Sequence, residues 1–243
     1  MKEAQRFDFG DISVPVQTFG SGSRRVLFLS GLGVHPRYYE ESLSRLARHA
    51  SLITPDLSFR SRGELPRTIA EYLGLAAALA RSFGPLDATV GHSFGGLVAL
   101  LSRQHAIALS PTVPIPIGWA RKFGRSVLMQ LREYAGLEGR KGPRWAFSIF
   151  RDYAGIVCTR PELLFPVVGA TMRTPMKPFL PSAPKAHVIL AERDHLYTRG
   201  EVDRYLEAGG ETVVVRTVRR GHGWPITDPA LFELQVLQAL DSA

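Results

Sequence analysis

Thr89–Leu100 reads TVGHSFGGLVAL. A β-branched stretch runs into Gly91-His92-Ser93-Phe94-Gly95-Gly96, and an apolar run follows. A surface turn favours Asn, Asp or Pro, and a buried strand has little use for a serine. One reading is a tight strand-to-helix turn with an incidental hydroxyl. The other is a nucleophile on a sharp turn, where the residues two positions to either side must lack a side chain and Gly91 and Gly95 comply. The helix that starts there would aim its free N–H groups and positive dipole end at the same point.

A serine hydroxyl at its own pKa is a weak nucleophile, so this chemistry needs a base and an orienting carboxylate. The segment RRGHGWPITDPA offers His222 between two glycines, after the last expected strand and before the last helix. VILAERDHLYT places Asp194 directly after the preceding strand. Glu192 is the second choice for the carboxylate, and Asp228 reads better as the cap of the final helix. The order Ser93, Asp194, His222 is that of one known triad architecture. Negative charge developing on an attacked carbonyl needs two backbone N–H donors. Phe94, after the serine, offers one, and Leu32 in Ser30-Gly31-Leu32-Gly33 offers the other.

The remaining histidines are weaker candidates. His92 reads as the variable residue of the turn, and His35 as a loop residue near a pocket. His49, His105 and His187 read as helix-end or strand residues, and His195 is too close in the chain to partner Asp194. With Cys158 the single cysteine and no clustered ligand spacing, neither a metal site nor a cofactor is expected.

The elements that must position these groups alternate. VLFLSGLG reads as a buried strand ending in a glycine loop, and Pro36–Ala50 as a helix with Tyr39, Leu43, Leu46 and Ala50 on one face. SLITPDL is a strand and Thr68–Gly84 a helix with a glycine stop. DATVG is a strand, GGLVALLSRQHA a helix and IALS a strand. After about Pro184 the alternation resumes with AHVILAE, the helix RGEVDRYLEAGG, the strand TVVVRTV and the helix PALFELQVLQAL. Short apolar strands alternating with helices indicate a mostly parallel sheet flanked by helices, an α/β fold. Between Pro111 and Pro184 the sequence turns Pro-rich and aromatic. The expected organisation is therefore a core of residues 1–110 and 185–243, with a helical cap at 111–184.

Composition is compatible with this. A chain of 243 residues with 45% hydrophobic and 21% charged residues suits one large globular domain. The opening stretch has no apolar core of a secretory signal, no run is long enough to span a bilayer, and cysteine is scarce. The expectation is a cytoplasmic protein without a membrane span. The net charge of +8 is spread over scattered arginines with no nucleic-acid motif, so no nucleic-acid partner is expected.

On Gly91–Gly95, Ser30–Gly33, Asp194 and His222 the chain resembles an α/β-hydrolase-fold protein with a helical cap, of the small esterase and thioesterase-like kind. The resemblance spans the chain outside Pro111–Pro184. It implies Ser93 as elbow nucleophile, Asp194 as acid, His222 as base and Leu32 with Phe94 as oxyanion donors. Two departures stand out: Ser30-Gly31 occupies the place of the His-Gly found in many members, and DLSFRSRGE replaces a more glycine-rich loop after Asp56. The implied activity is hydrolysis of an apolar carboxylic ester or thioester through an acyl-enzyme. Transfer or cyclisation, C–C bond hydrolysis, and a non-catalytic ligand receptor are the alternatives. In the cap, Trp119, Phe123, Trp145, Phe147 and Phe150 are candidate substrate contacts, although packing of the cap onto the core is the stronger reading of each. Arg121, Lys122, Arg125, Arg140 and Lys141 read first as a solvated face, with docking of an acidic acyl-carrier protein or a carboxylate as the second reading.

Overall fold

The computed structural model describes residues 4–58, 64–102, 104–113, 185–209 and 213–242, together with 147–148, 151–152, 154–155, 158 and 169. The expected cap at 111–184 therefore lies almost entirely outside the described residues.

Eight strands form one sheet: β1 (Gln5–Phe9), β2 (Ile12–Phe19), β3 (Arg24–Leu29), β4 (Ala50–Pro55), β5 (Ala88–His92), β6 (Ala106–Leu109), β7 (Ala186–Arg193) and β8 (Val213–Gly221). Their spatial order is β1-β2-β4-β3-β5-β6-β7-β8. β1 and β2 pair antiparallel with each other, as do β2 and β4, and every other pairing is parallel. The N-terminal hairpin has no counterpart in the strand pattern read from sequence. It turns at Gly10, whose φ of 58° suits glycine.

The α-helices that run end to end within the described residues are α1 (Glu40–Leu46), α2 (Ile69–Phe83), α3 (Phe94–Leu101), α4 (Arg199–Gly209), α5 (Trp224–Thr227) and α6 (Pro229–Asp241). Strand side chains alternate between two apolar layers. Leu27, Leu29, Val188 and Leu190 face the layer formed with α2, α3 and α4. Val26, Phe28, Ile189 and Ala191 face the layer containing α1, α5 and α6, where Trp224 and Phe232 are fully buried. Burying a side chain of that size stabilises the fold by about 2–3 kcal/mol.

The single helix expected over Pro36–Ala50 is corrected by the structure. A 3-10 turn occupies Pro36–Tyr39, α1 stops at Leu46, and Ala50 opens β4. Ala50 is buried because it begins a central strand, so its apolar character follows sheet and not helix spacing.

The connections decide where a site can form. After β3 the chain moves to β4 on one side, and after β5 to β6 on the other. The carboxyl ends of adjacent β3 and β5 therefore bound the crevice where open parallel sheets bind ligands. Those ends carry Ser30–Gly33 and Ser93.

Candidate active site

Ser93 stands between β5 and α3 with φ 54° and ψ −117°. That left-handed backbone is uncommon for a side chain with a Cβ and is found where the surrounding structure enforces it. Its neighbours explain the enforcement. A Cβ on Gly91 would overlap the Gly95 carbonyl, and one on Gly95 would overlap the backbone of Leu29 and lie 2.6 Å from the Ser30 oxygen. Glycine at both places lets α3 press against the ends of β3 and β5. The backbone is then locked: Ser93 N–H donates to Leu109 O at 2.9 Å, and Ser93 O accepts from Thr112 N–H at 3.0 Å.

Phe94 is the first residue of α3, and Leu97 N–H makes the first helical bond back to Ser93 O at 3.1 Å. The Phe94 amide thus belongs to the turn whose N–H groups have no intrahelical partner. Across the crevice, Gly31 is close enough that a Cβ built on it would lie 3.6 Å from Ser93 Cβ. Gly31 O accepts from Val34 N–H at 3.0 Å. In a trans peptide the amide opposes the carbonyl, so the Leu32 N–H points away from Val34. Ser30, at the place of the more usual histidine, is 4% exposed, and its hydroxyl has no hydrogen-bond partner among the described residues.

His222 and Asp194 meet at the ends of β8 and β7. Their Nδ1 and Oδ2 atoms are 2.8 Å apart, with both side chains buried. The other carboxylate oxygen of Asp194 accepts from the Leu196 and Tyr197 amides at 2.8 and 3.1 Å. Three donors thus fix the carboxylate, which in turn fixes the imidazole. Glu192, the second choice, is half exposed and lies 3.8 Å from Arg219. Asp228 caps α6 through Leu231 N–H and pairs with Arg220 at 2.8 Å.

Ser93 Oγ lies 3.2 Å from Thr112 Oγ1. No hydrogen bond joins it to His222 among the described residues, although His92, its neighbour in sequence, packs its ring 5.0 Å from the His222 ring. Hydrogen bonds between nucleophile and base are often loose in unliganded enzymes. Thr112 was not singled out from the sequence, where nothing beyond its place after the IALS strand marks it.

His92 was read as a variable position, yet it is 3% exposed and bonded at both ring nitrogens, to Tyr39 and to the His222 carbonyl. Burial, followed by the charge of His222, lowers its pKa to about 3. His35 caps the 3-10 turn through Arg37 N–H and faces Asp56 at 3.4 Å. From the same turn Tyr38 reaches Ser148 and Asp152, each at 2.8 Å, which ties the sheet to the segment beyond Pro111.

Of the proposed substrate contacts, Phe147 is 66% exposed. Trp119, Phe123, Trp145 and Phe150 lie outside the described residues, as do the basic residues suggested for carrier docking. A small apolar pocket adjoins the Ser30–Gly33 loop and is lined by Leu57, Tyr72, Leu75, Phe94 and Val98 among others. Among the described residues no group of His, Cys, Asp and Glu is arranged to hold a metal, and no helix is long and apolar enough to cross a membrane.

The family model described as "Alpha/beta hydrolase family" matches residues 26–233. No curated protein matches the chain. Among solved structures, the enol-lactonase from Burkholderia xenovorans LB400 is similar at 16% identity and TM-score 0.74, over 98% of this chain and 100% of that one. The carboxylesterase CesB from Bacillus subtilis is 15% identical with TM-score 0.74, over 99% and 92% of the two chains. A thioesterase domain from the curacin biosynthetic pathway is 16% identical with TM-score 0.66, over 97% and 99%. At these identities the likeness establishes the shared fold.

Proposed function

The chain belongs to the alpha/beta hydrolase family, and from that premise we propose that it is a serine hydrolase that cleaves an apolar carboxylic ester or thioester. The observation that carries this reading is the strained Ser93 turn at the sheet's crevice beside a buried, hydrogen-bonded His222–Asp194 pair. Ser93 Oγ leaves Thr112, turns to His222 Nε2 and attacks the substrate carbonyl carbon as the imidazole takes its proton. Asp194 accepts from Nδ1–H, holds the tautomer that leaves Nε2 free to act, and stabilises the imidazolium. The Leu32 and Phe94 amides receive the developing oxyanion, an effect worth on the order of 10²–10³ in rate per donor. His222 then protonates the leaving alcohol or thiol, and water, activated by the same imidazole, releases the acid from Ser93.

The substrate class draws support from the esterase, thioesterase and lactonase likenesses and from the apolar lining beside the Ser30–Gly33 loop. The segment at 111–184 is proposed as a cap that contributes Trp119, Phe123, Trp145, Phe147 and Phe150 to the substrate's surroundings. The test is labelling with a fluorophosphonate probe, followed by a p-nitrophenyl ester series of increasing chain length. Wild type is expected to label and turn over, and Ser93→Ala to do neither while melting as wild type does. Undiminished turnover in Ser93→Ala would end the proposal.

A further inference from the structure

A directed chain of hydrogen bonds runs through the buried layer beneath the crevice. Gly31 N–H donates to the Tyr39 hydroxyl oxygen at 3.2 Å. Tyr39 Oη lies 2.6 Å from His92 Nδ1, and His92 Nε2 lies 3.0 Å from the His222 carbonyl oxygen. The proton positions follow from the partners. A carbonyl can only accept, so His92 Nε2 carries the hydrogen. In the neutral ring Nδ1 must then accept, and the Tyr39 O–H is its donor. The phenol oxygen keeps a lone pair for Gly31 N–H. Each link has one possible direction, and the chain reads Gly31 to Tyr39 to His92 to the His222 carbonyl.

Its two ends are the two loop-borne parts of the proposed machinery. Gly31 precedes Leu32, whose amide is the proposed oxyanion donor. The Gly31 residue is held on both sides, its N–H by Tyr39 and its carbonyl by Val34 N–H. At the other end, the loop that follows β8 is held at the His222 backbone, while Asp194 holds the same residue's ring. The middle link, His92, is joined directly to Ser93. Tyr39 is fully buried, with its ring 5.0 Å from that of Phe28, so the connection rests on packed core and not on a loop.

We propose that Tyr39 and His92 are a positioning pair, a one-way hydrogen-bonded strut that sets the oxyanion loop and the base loop in register against Ser93. This rests on the serine hydrolase reading above. The strut touches no reacting atom. A neutral imidazole suits the role, because a charged His92 would repel the imidazolium that forms on His222 in each turnover. The lowered pKa of His92 agrees with that requirement.

The test compares wild type with Tyr39→Phe, His92→Gln and His92→Leu, using p-nitrophenyl butyrate turnover and the rate of fluorophosphonate labelling. Tyr39→Phe keeps the ring and removes only the hydroxyl. His92→Gln offers an amide N–H to the His222 carbonyl, whereas His92→Leu offers none. In Tyr39→Phe, kcat and the labelling rate are expected to fall together by about tenfold to a hundredfold, the size of a sub-ångström to ångström misplacement. KM should stay within about twofold, since the change acts after binding. His92→Gln should retain more activity than His92→Leu. Joining Tyr39→Phe to His92→Leu should cost less than the product of the single effects, because both cut the same strut.

A role confined to stability would lower the melting temperature and leave kcat per labelled molecule unchanged, and that result would overturn the proposal. So would a change in KM alone. Should Tyr39→Phe fail to fold, the ranking of His92→Gln over His92→Leu decides the matter. The underlying reading fails separately, by absence of labelling in the wild type.

Discussion

Asp194 uses both oxygens, one on two backbone amides and one on His222. Replacing it by asparagine would keep the size and present an amide where the imidazole now donates, forcing the other tautomer and leaving Nε2 protonated. Asp194→Asn is therefore expected to lower kcat by about 10⁴, with the melting temperature little changed; steady-state kinetics beside thermal melting would check it. Asparagine with near-wild-type activity would instead point to a base other than His222. Thr112 is a second residue whose importance lies in contact and not in motif. It shares a 3.2 Å contact with Ser93 Oγ and closes a backbone bond to the same residue. The resting serine is thus held by the first residues of the segment that leads away from β6.

Helix α2 shows how a local signal sets an element. Thr68 accepts from Glu71 N–H while the Glu71 carboxylate accepts from Thr68 N–H, a reciprocal cap at the start of a 15-residue helix. Thr68→Ala is expected to cost about 1 kcal/mol, or about 2–4 °C in melting temperature for a chain of this size, with the proposed ester hydrolysis unchanged from wild type. Differential scanning fluorimetry and an ester assay would measure the two. That helix was legible because its apolar spacing, cap and terminal glycine agree. The N-terminal hairpin was not, because β1 is largely exposed and β2 carries Pro15, a residue that interrupts a strand pattern, between Val14 and Val16. An edge hairpin owes its form to the strand it joins, here β4. α3 was expected to run on towards Ala106, but it ends at Leu101.

Across the whole molecule, burial of histidine links the fold to pH. His92 and His187 are each almost fully buried and keep their neutral forms, with pKa values lowered from the ordinary 6.5 to about 3 and about 4. For His187 burial is the larger cause, followed by His105, Arg216 and Lys185. In the unfolded chain both rings bind protons below about pH 6.5, whereas the folded chain does not until pH 3–4. The unfolded state then holds more protons, so stability is expected to be full above pH 6.5 and to fall as pH drops through that window. Urea unfolding at several pH values would measure the slope, and His187→Gln should flatten it.

The sequence by itself determined the alternation of strands and helices, the Ser93 turn and the candidates Asp194 and His222. Each is a matter of local chemistry: apolar period, glycine where a Cβ would overlap backbone, a polar residue immediately after a strand. The sequence ranked Asp194 ahead of Glu192, but the physical difference between them is visible only in the tertiary structure. Two residues apart at the end of one strand, they differ in whether the carboxylate turns toward β8's loop or toward Arg219 and solvent. The role of His92 was equally hidden. Its partners Tyr39 and His222 lie 53 and 130 residues away in the chain, and only the stacking of β3, β5 and the loop after β8 brings them within hydrogen-bond reach.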